Sequence, residues 1–159
     1  MVAFVLTSCS PLPKKIRAAL QARFSAGSLA HVQVSKTATI LFTSGSESRP
    51  KAVPLTHENI IANLRDFASI VSFTDDHRLL GMLPPFHSLG LVGTIILPLC
   101  LGLKTVYHAN PTESTILAGL IERYKVSIVI GTPTFLLGII KATSKEQLKS
   151  LRLVFRVEF

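Results

Sequence analysis

The chemistry in this sequence is concentrated between Phe42 and Val53, which reads Phe42-Thr43-Ser44-Gly45-Ser46-Glu47-Ser48-Arg49-Pro50-Lys51-Ala52-Val53. Thr43, Ser44, Ser46 and Ser48 place hydroxyl donors around Gly45. A glycine there lets the backbone pass close to a ligand, and consecutive N–H groups can form an anion-binding nest. Lys51 adds a cation for phosphate oxygens. Many donors with a cation at the end suit a triphosphate or a departing pyrophosphate. The spacing does not match G-x-x-x-x-G-K-S/T, so the run is not a P-loop of that kind. A serine-rich surface turn accounts for the same residue types, and both readings stand at this point.

The other reactive residue types form no recognisable constellation. His31, His57, His77 and His108 have no partner spacing, and His57-Glu58 is not followed by the second histidine of a zinc-protease helix. No G-x-S-x-G elbow supports a serine hydrolase. Cys9 and Cys100 lie far apart, which gives neither a zinc spacing nor a disulfide framework. They are expected to be small buried thiols of a reduced, cytosolic chain.

The elements that must carry the Phe42–Val53 run alternate along the chain. Strands are expected at Ala3–Leu6, Ala38–Phe42, Leu79–Leu83, Lys104–His108, Ser127–Ile130 and Leu151–Phe155. Helices are expected at Lys14–Ala26, Thr56–Ser72, Leu89–Leu101, Ser114–Tyr124 and Pro133–Ala142. Thr56 is a plausible N-cap, and Ile60, Leu64, Phe67 and Val71 form one apolar stripe. The run is thus delivered by a strand and followed a few residues later by a helix. Alternating strands and helices imply an α/β fold with a largely parallel sheet and flanking helices.

Composition narrows the function classes. The chain has 159 residues, of which 48% are hydrophobic and 16% charged, enough for one real core and too apolar for disorder. The net charge of +8 is scattered. Lys14, Lys15, Arg17 and Arg23 read as the wet side of one helix, and no nucleic-acid-reading motif accompanies them. Leu89–Leu103 is the most apolar stretch, but a membrane-spanning helix needs about 20 residues, so it is expected to be a buried core helix. A membrane-associated or partner-binding module without enzymatic activity is the alternative class.

The Phe42–Val53 run resembles the phosphate-binding motif of the adenylate-forming (AMP-dependent synthetase/ligase) superfamily. Phe42, Thr43, Ser44, Gly45, Ser46, Pro50, Lys51 and Val53 match its pattern. Leu83-Pro84-Pro85-Phe86-His87-Ser88-Leu89-Gly90 resembles a second motif of that superfamily at the right distance downstream. Gly131-Thr132-Pro133-Thr134-Phe135 sits where the family places a strand-to-helix turn beside its carboxylate substrate. The similarity runs from about Lys36 to Leu153. Glu47, with the stretch Ile40–Ile60 and the phrase Leu148–Leu153, is similar to the acyl-ACP synthetase part of bifunctional 2-acylglycerophosphoethanolamine acyltransferase/acyl-ACP synthetases.

The resemblance implies ATP and Mg²⁺ as cofactors, with Thr43, Ser44, Gly45, Ser46, Glu47, Ser48 and Lys51 at the phosphates. It implies His87, Gly131 and Thr132 beside the acyl and adenylate pocket, a fatty acid as substrate and acyl carrier protein as acceptor. Phospholipid metabolism, a cytoplasmic place, the inner face of a membrane and a complementing downstream chain are further expectations of that kind. Ser48 and Ala52 depart from two family glycines; if either position needs positive φ, a side chain there costs about 1 kcal/mol or more. Residues 1–159 are expected to be a partial AMP-binding domain without the small catalytic-lysine domain, the ribose-binding aspartate or the adenine motif. Such a piece is expected to be inactive alone and poorly soluble.

Overall fold

The computed structural model describes residues 33–43 and 49–157. The expected strand Ala3–Leu6, the expected helix Lys14–Ala26, Cys9, His31 and the phosphate-loop residues Ser44, Gly45, Ser46, Glu47 and Ser48 lie outside the described residues. Two compact units divide the chain, Met1–Lys36 and Thr37–Phe159. Of the first, residues 33–36 are described and form no regular element.

The second unit begins with an antiparallel hairpin, β1 (Thr37–Thr43) and β2 (Lys51–Thr56). The strand β2, lying between the loop and the helix expected a few residues later, was not among the expected strands. Pro54 in its middle hid it: proline cannot donate to a ladder and is confined to edge strands, and among the described residues β2 has only β1 as a neighbour. Helix α1 (His57–Ile70) follows at once. Thr56 caps it as expected: its hydroxyl accepts from the Asn59 N–H at 3.1 Å, and the Asn59 side chain accepts from the Thr56 N–H at 3.1 Å. This reciprocal box satisfies two otherwise orphan donors.

The remaining elements are β3 (Arg78–Gly81), α2 (Ser88–Leu91), a π-helical turn (Val92–Ile96), α3 (Leu97–Leu101), β4 (Lys104–Tyr107), α4 (Ser114–Tyr124), β5 (Ile128–Gly131), α5 (Pro133–Ala142) and β6 (Leu153–Arg156). Strands β4, β3, β5 and β6 lie in that order, and all three pairings are parallel. Side-chain alternation splits the core between two faces. Leu80 and Val129 face Leu117 and Ile121 of α4 and Ile139 of α5. Leu79, Ile128 and Ile130 face the other way, with Leu89 of α2 and Phe155 packed beside them. The Phe67 ring of α1 lies 5.0 Å from the Phe155 ring, which brings α1 onto that second face. Both faces are covered, which is why β3 and β5 read as unbroken apolar runs.

The expected single helix over Leu89–Leu101 is broken in its middle for a chemical reason. Pro98 has no N–H to give the carbonyl of Thr94 four residues earlier. The backbone slips to a π turn ahead of it, and the Tyr107 hydroxyl donates to that carbonyl at 2.8 Å. Thr94 is itself buried and donates to the Gly90 carbonyl at 2.6 Å. The expectation that the whole stretch is buried is also corrected. Gly93, Thr94, Leu97 and Pro98 are buried, while Leu99, Cys100 and Leu101 face outward. Cys100 is thus an exposed free thiol rather than a core one.

Candidate functional site

Two loops leave the C-terminal ends of the central strands in opposite directions. The loop after β3 leads toward β4 on one side, and the loop after β5 leads toward β6 on the other. Divergence of this kind opens a crevice at the strand ends, where open α/β sheets bind their ligands.

The first wall is built by Leu83-Pro84-Pro85. The Pro84 carbonyl accepts from the His87 N–H at 3.2 Å, and the His87 carbonyl accepts from Leu91 at 2.9 Å. His87 therefore sits at the N-cap of α2 with extended backbone (φ −95°, ψ 143°). Its ring is exposed and lies 4.7 Å from the Phe86 ring. Gly90 allows this geometry. A Cβ there would collide with the Pro84 carbonyl oxygen and would lie 2.6 Å from its carbon, so the first turn of α2 can seat only if residue 90 has no side chain.

The second wall is the β5–α5 turn. Gly131 is buried at the end of β5, and a Cβ there would meet the Met82 methyl at 2.8 Å. Thr132 is the N-cap of α5, followed by Pro133 in the first turn, yet its hydroxyl makes no capping bond. The positive end of α5 therefore borders the crevice beside an uncommitted hydroxyl position, an arrangement favourable to an anionic group.

Leu83, Pro84, His87, Gly90, Thr132, Thr134 and Phe135 enclose a cleft of about 340 Å³. The structure thus brings His87 and Thr132 to one cavity, with Gly131 in the strand that ends beneath it. Thr134 and Phe135 lay within a motif legible in the sequence, but their place in the wall follows only from the strand order. Thr43 and Lys51 form a second pair. They are register partners at the loop end of the β1–β2 hairpin, both exposed, and they flank the five loop residues outside the described set.

Three further features were not legible. An apolar groove of about 210 Å³ runs between α1 and α2–α3, lined by Ile60, Leu64, Phe67, Leu89 and Val92 with no ionisable side chain. A polar cleft opens at the N-terminal end of the sheet. Burial pushes the Tyr107 hydroxyl above its ordinary value of 10.0, with the Thr105 side chain pulling the other way. Two expected non-participants also have structural roles: His77 is buried and accepts the Thr74 N–H through Nδ1 at 3.1 Å, while His108 Nε2 contacts the Glu113 carboxylate at 2.6 Å.

Among the described residues no three His, Cys, Asp or Glu side chains cluster in a way that could hold a metal ion. Among the same residues no helix is long and apolar enough to cross a membrane.

Comparison with known proteins agrees with this architecture. The sequence model of the AMP-binding enzyme family matches residues 5–157, and the chain belongs to that family. The medium-chain fatty-acid–CoA ligase of Escherichia coli K12 is 30% identical over 109 residues, which are 69% of this chain and 19% of the ligase. The o-succinylbenzoate coenzyme A synthetase of Bacillus subtilis, solved with its acyl-adenylate intermediate, superposes with a TM-score of 0.70 at 26% identity. That match covers 80% of this chain and 33% of the synthetase. The same synthetase has been solved with ATP and magnesium ion, at a TM-score of 0.68 and 26% identity over 78% of this chain and 26% of that one. The chain spans about a fifth of the curated ligase and a quarter to a third of the solved synthetase. The α/β fold with its parallel sheet and flanking helices is that of the N-terminal domain of adenylate-forming enzymes.

Proposed function

We propose that this chain supplies the phosphate-holding hairpin and the carboxylate-side crevice of an ATP-dependent acid-activating ligase. The observation that carries the reading is the crevice between β3 and β5, where His87 and Thr132 line one cavity at the divergence of the strand connections. In the reaction, a carboxylate oxygen attacks the α-phosphorus of ATP. The new O–P bond forms as the bond to the β-phosphate bridge breaks, and pyrophosphate leaves with that electron pair. Little covalent work falls to the protein; positioning and charge neutralisation dominate.

The roles are those that the motif resemblance implies. Thr43 and Lys51 close the hairpin from both strands, and with Ser44, Gly45, Ser46, Glu47 and Ser48 they form the phosphate loop. Thr43, Ser46 and Lys51 hold the β- and γ-phosphates. His87 and Thr132 orient the carboxylate against the positive end of α5, and bare Gly131 keeps the strand end tight. Magnesium would be carried in with the triphosphate, as is usual for an ion bound through substrate phosphates.

A fatty acid is the substrate class, supported by the similarity to a fatty-acid ligase. Glu47 favours acyl carrier protein as the acceptor thiol and a place in phospholipid metabolism. The name of the Escherichia coli relative favours coenzyme A instead. A cytoplasmic site of action, at the inner face of a membrane, goes with the carrier-protein reading. The 159 residues span only part of the length of their relatives, and on their own they are proposed to lack turnover. The exposed apolar residues Ile40, Phe42 and Val53 of the hairpin favour a partner-binding role as the second reading.

Fatty-acid-dependent ATP–pyrophosphate exchange tests the proposal, measured on the chain alone and with a complementing polypeptide. Thioester formation on carrier protein versus coenzyme A separates the two acceptors. Exchange by the isolated chain that vanished in Lys51→Ala would overturn the inactivity of the piece while retaining the site.

A further inference from the structure

The end of the sheet opposite the His87–Thr132 crevice carries a second site. Arg78 opens β3, Ser127 immediately precedes β5, and Arg152 immediately precedes β6. Parallel pairing gathers these three N-terminal strand ends, and Lys125 and Lys149 arrive from the adjoining turns. Together with Asp76 and Ser150 they line a cleft of about 240 Å³ in which every lining residue is polar.

The floor of this cleft is firmly built. The Ser127 hydroxyl accepts the Arg78 N–H at 2.9 Å, and the Ser127 carbonyl accepts the Arg152 N–H at 2.9 Å. The Ser150 hydroxyl donates to the Val126 carbonyl at 2.7 Å. The Arg78 guanidinium is held by a bond from Nη1 to the Tyr124 carbonyl at 2.6 Å. Four cationic side chains thus meet one carboxylate, that of Asp76. Lys149 pairs with an exposed Glu146 at 3.9 Å. Among the described residues, Lys125 and Arg152 have no acidic partner.

Lys125 adds a second, independent sign. It caps the C-terminus of α4 in the left-handed conformation, φ 52° and ψ 48°, and is the one non-glycine residue with positive φ among the described residues. Glycine is the residue that takes this position without steric cost. A lysine held there at the rim of a cationic cleft exchanges backbone ease for charge, and strain retained in this way concentrates at binding sites.

We propose that this cleft binds a multiply charged phosphate group, separate from the phosphate loop at the hairpin. A single carboxylate would leave most of the cations uncompensated, whereas a phosphate dianion or a pyrophosphate offers several acceptor oxygens to charged donors at once. The group is carried either by a soluble phosphorylated metabolite or by a phosphomonoester lipid headgroup.

The test is a titration of the full chain with inorganic pyrophosphate at low salt, read by thermal shift and calorimetry. Three variants accompany it: Lys51→Ala, Lys125→Gly, and the double variant Lys125→Gly/Arg152→Gln. Because glycine suits the backbone at position 125, Lys125→Gly is expected to melt no lower than the parent, which separates lost binding from lost folding. Saturable binding that survives in Lys51→Ala and weakens by about tenfold or more in the double variant is the expected result. Sedimentation with phosphatidylcholine vesicles, plain or doped with phosphatidic acid, distinguishes the source. Binding to doped vesicles that is lost in the double variant supports the site with a lipid headgroup as ligand, even without a response to pyrophosphate. Equal binding of both probes by parent and double variant, loss of all binding in Lys51→Ala, or no saturable binding of either probe would overturn the proposal.

Discussion

At the scale of single residues, two glycines that look alike in the sequence differ in what surrounds them. Beside Gly90 stands the Pro84 carbonyl, part of a backbone that cannot swing aside; beside Gly131 stands the flexible end of Met82. Gly90→Ala should therefore destabilise the fold by about 1–3 kcal/mol or more and displace His87, while Gly131→Ala should cost clearly less. Urea melts of the two variants check this ordering. Tyr107 makes a second case. Its hydroxyl donates to the Thr94 carbonyl, to which Pro98 has no N–H to offer, so Tyr107→Phe should cost about 0.5–1.5 kcal/mol. Its raised titration point has a defined sign. The native state keeps the phenol proton where the unfolded chain releases it, so this stabilisation is present below pH 10.0 and is lost as pH rises further through the native value. An alkaline stability series should show that loss in the parent and lack it in Tyr107→Phe.

At the scale of elements, legibility depended on whether the signal was local. The start of α1 could be read because Thr56 is a cap residue before an apolar stripe, and the start of α5 because Pro133 opens a helical pattern. Thr56→Ala should lower stability by about 1 kcal/mol through loss of the capping box, measurable as a shift of the denaturant midpoint. The strand β2 was hidden by Pro54, which is tolerated where β2, among the described residues, has a single neighbour. The π turn was hidden because Leu89–Leu103 is apolar almost throughout, and periodicity cannot register a slip in hydrogen bonding. Cys100 falls on the outer side of α3, beyond the buried Leu97 and Pro98, which its apolar neighbours concealed.

The whole molecule adds what no single segment contains. His87 and Thr132 meet because β3 and β5 are adjacent with diverging connections, and that strand order is not written in either motif. The cations of the opposite cleft are scattered from position 78 to 152 and become a cluster only when three parallel strand ends are brought level. The same architecture leaves apolar surface uncovered: Ile40, Phe42 and Val53 on the hairpin, and Leu137, Ile140 and Val154 around the sheet are all exposed. Large exposed apolar patches drive association. The chain by itself should self-associate at micromolar concentration. The double variant Ile40→Thr/Phe42→Ser should shift it toward monomer by light scattering after size exclusion.

The hairpin and the crevice are proposed to act together in carboxylate activation. The direct measurement is fatty-acid-dependent ATP–pyrophosphate exchange by the chain supplied with a polypeptide carrying the rest of the family's domain. Exchange is expected to require both polypeptides and to fall by about 10²-fold in Lys51→Ala, with a smaller loss in His87→Ala. Exchange that proceeds without a carboxylate, or that is indifferent to both substitutions, would contradict it.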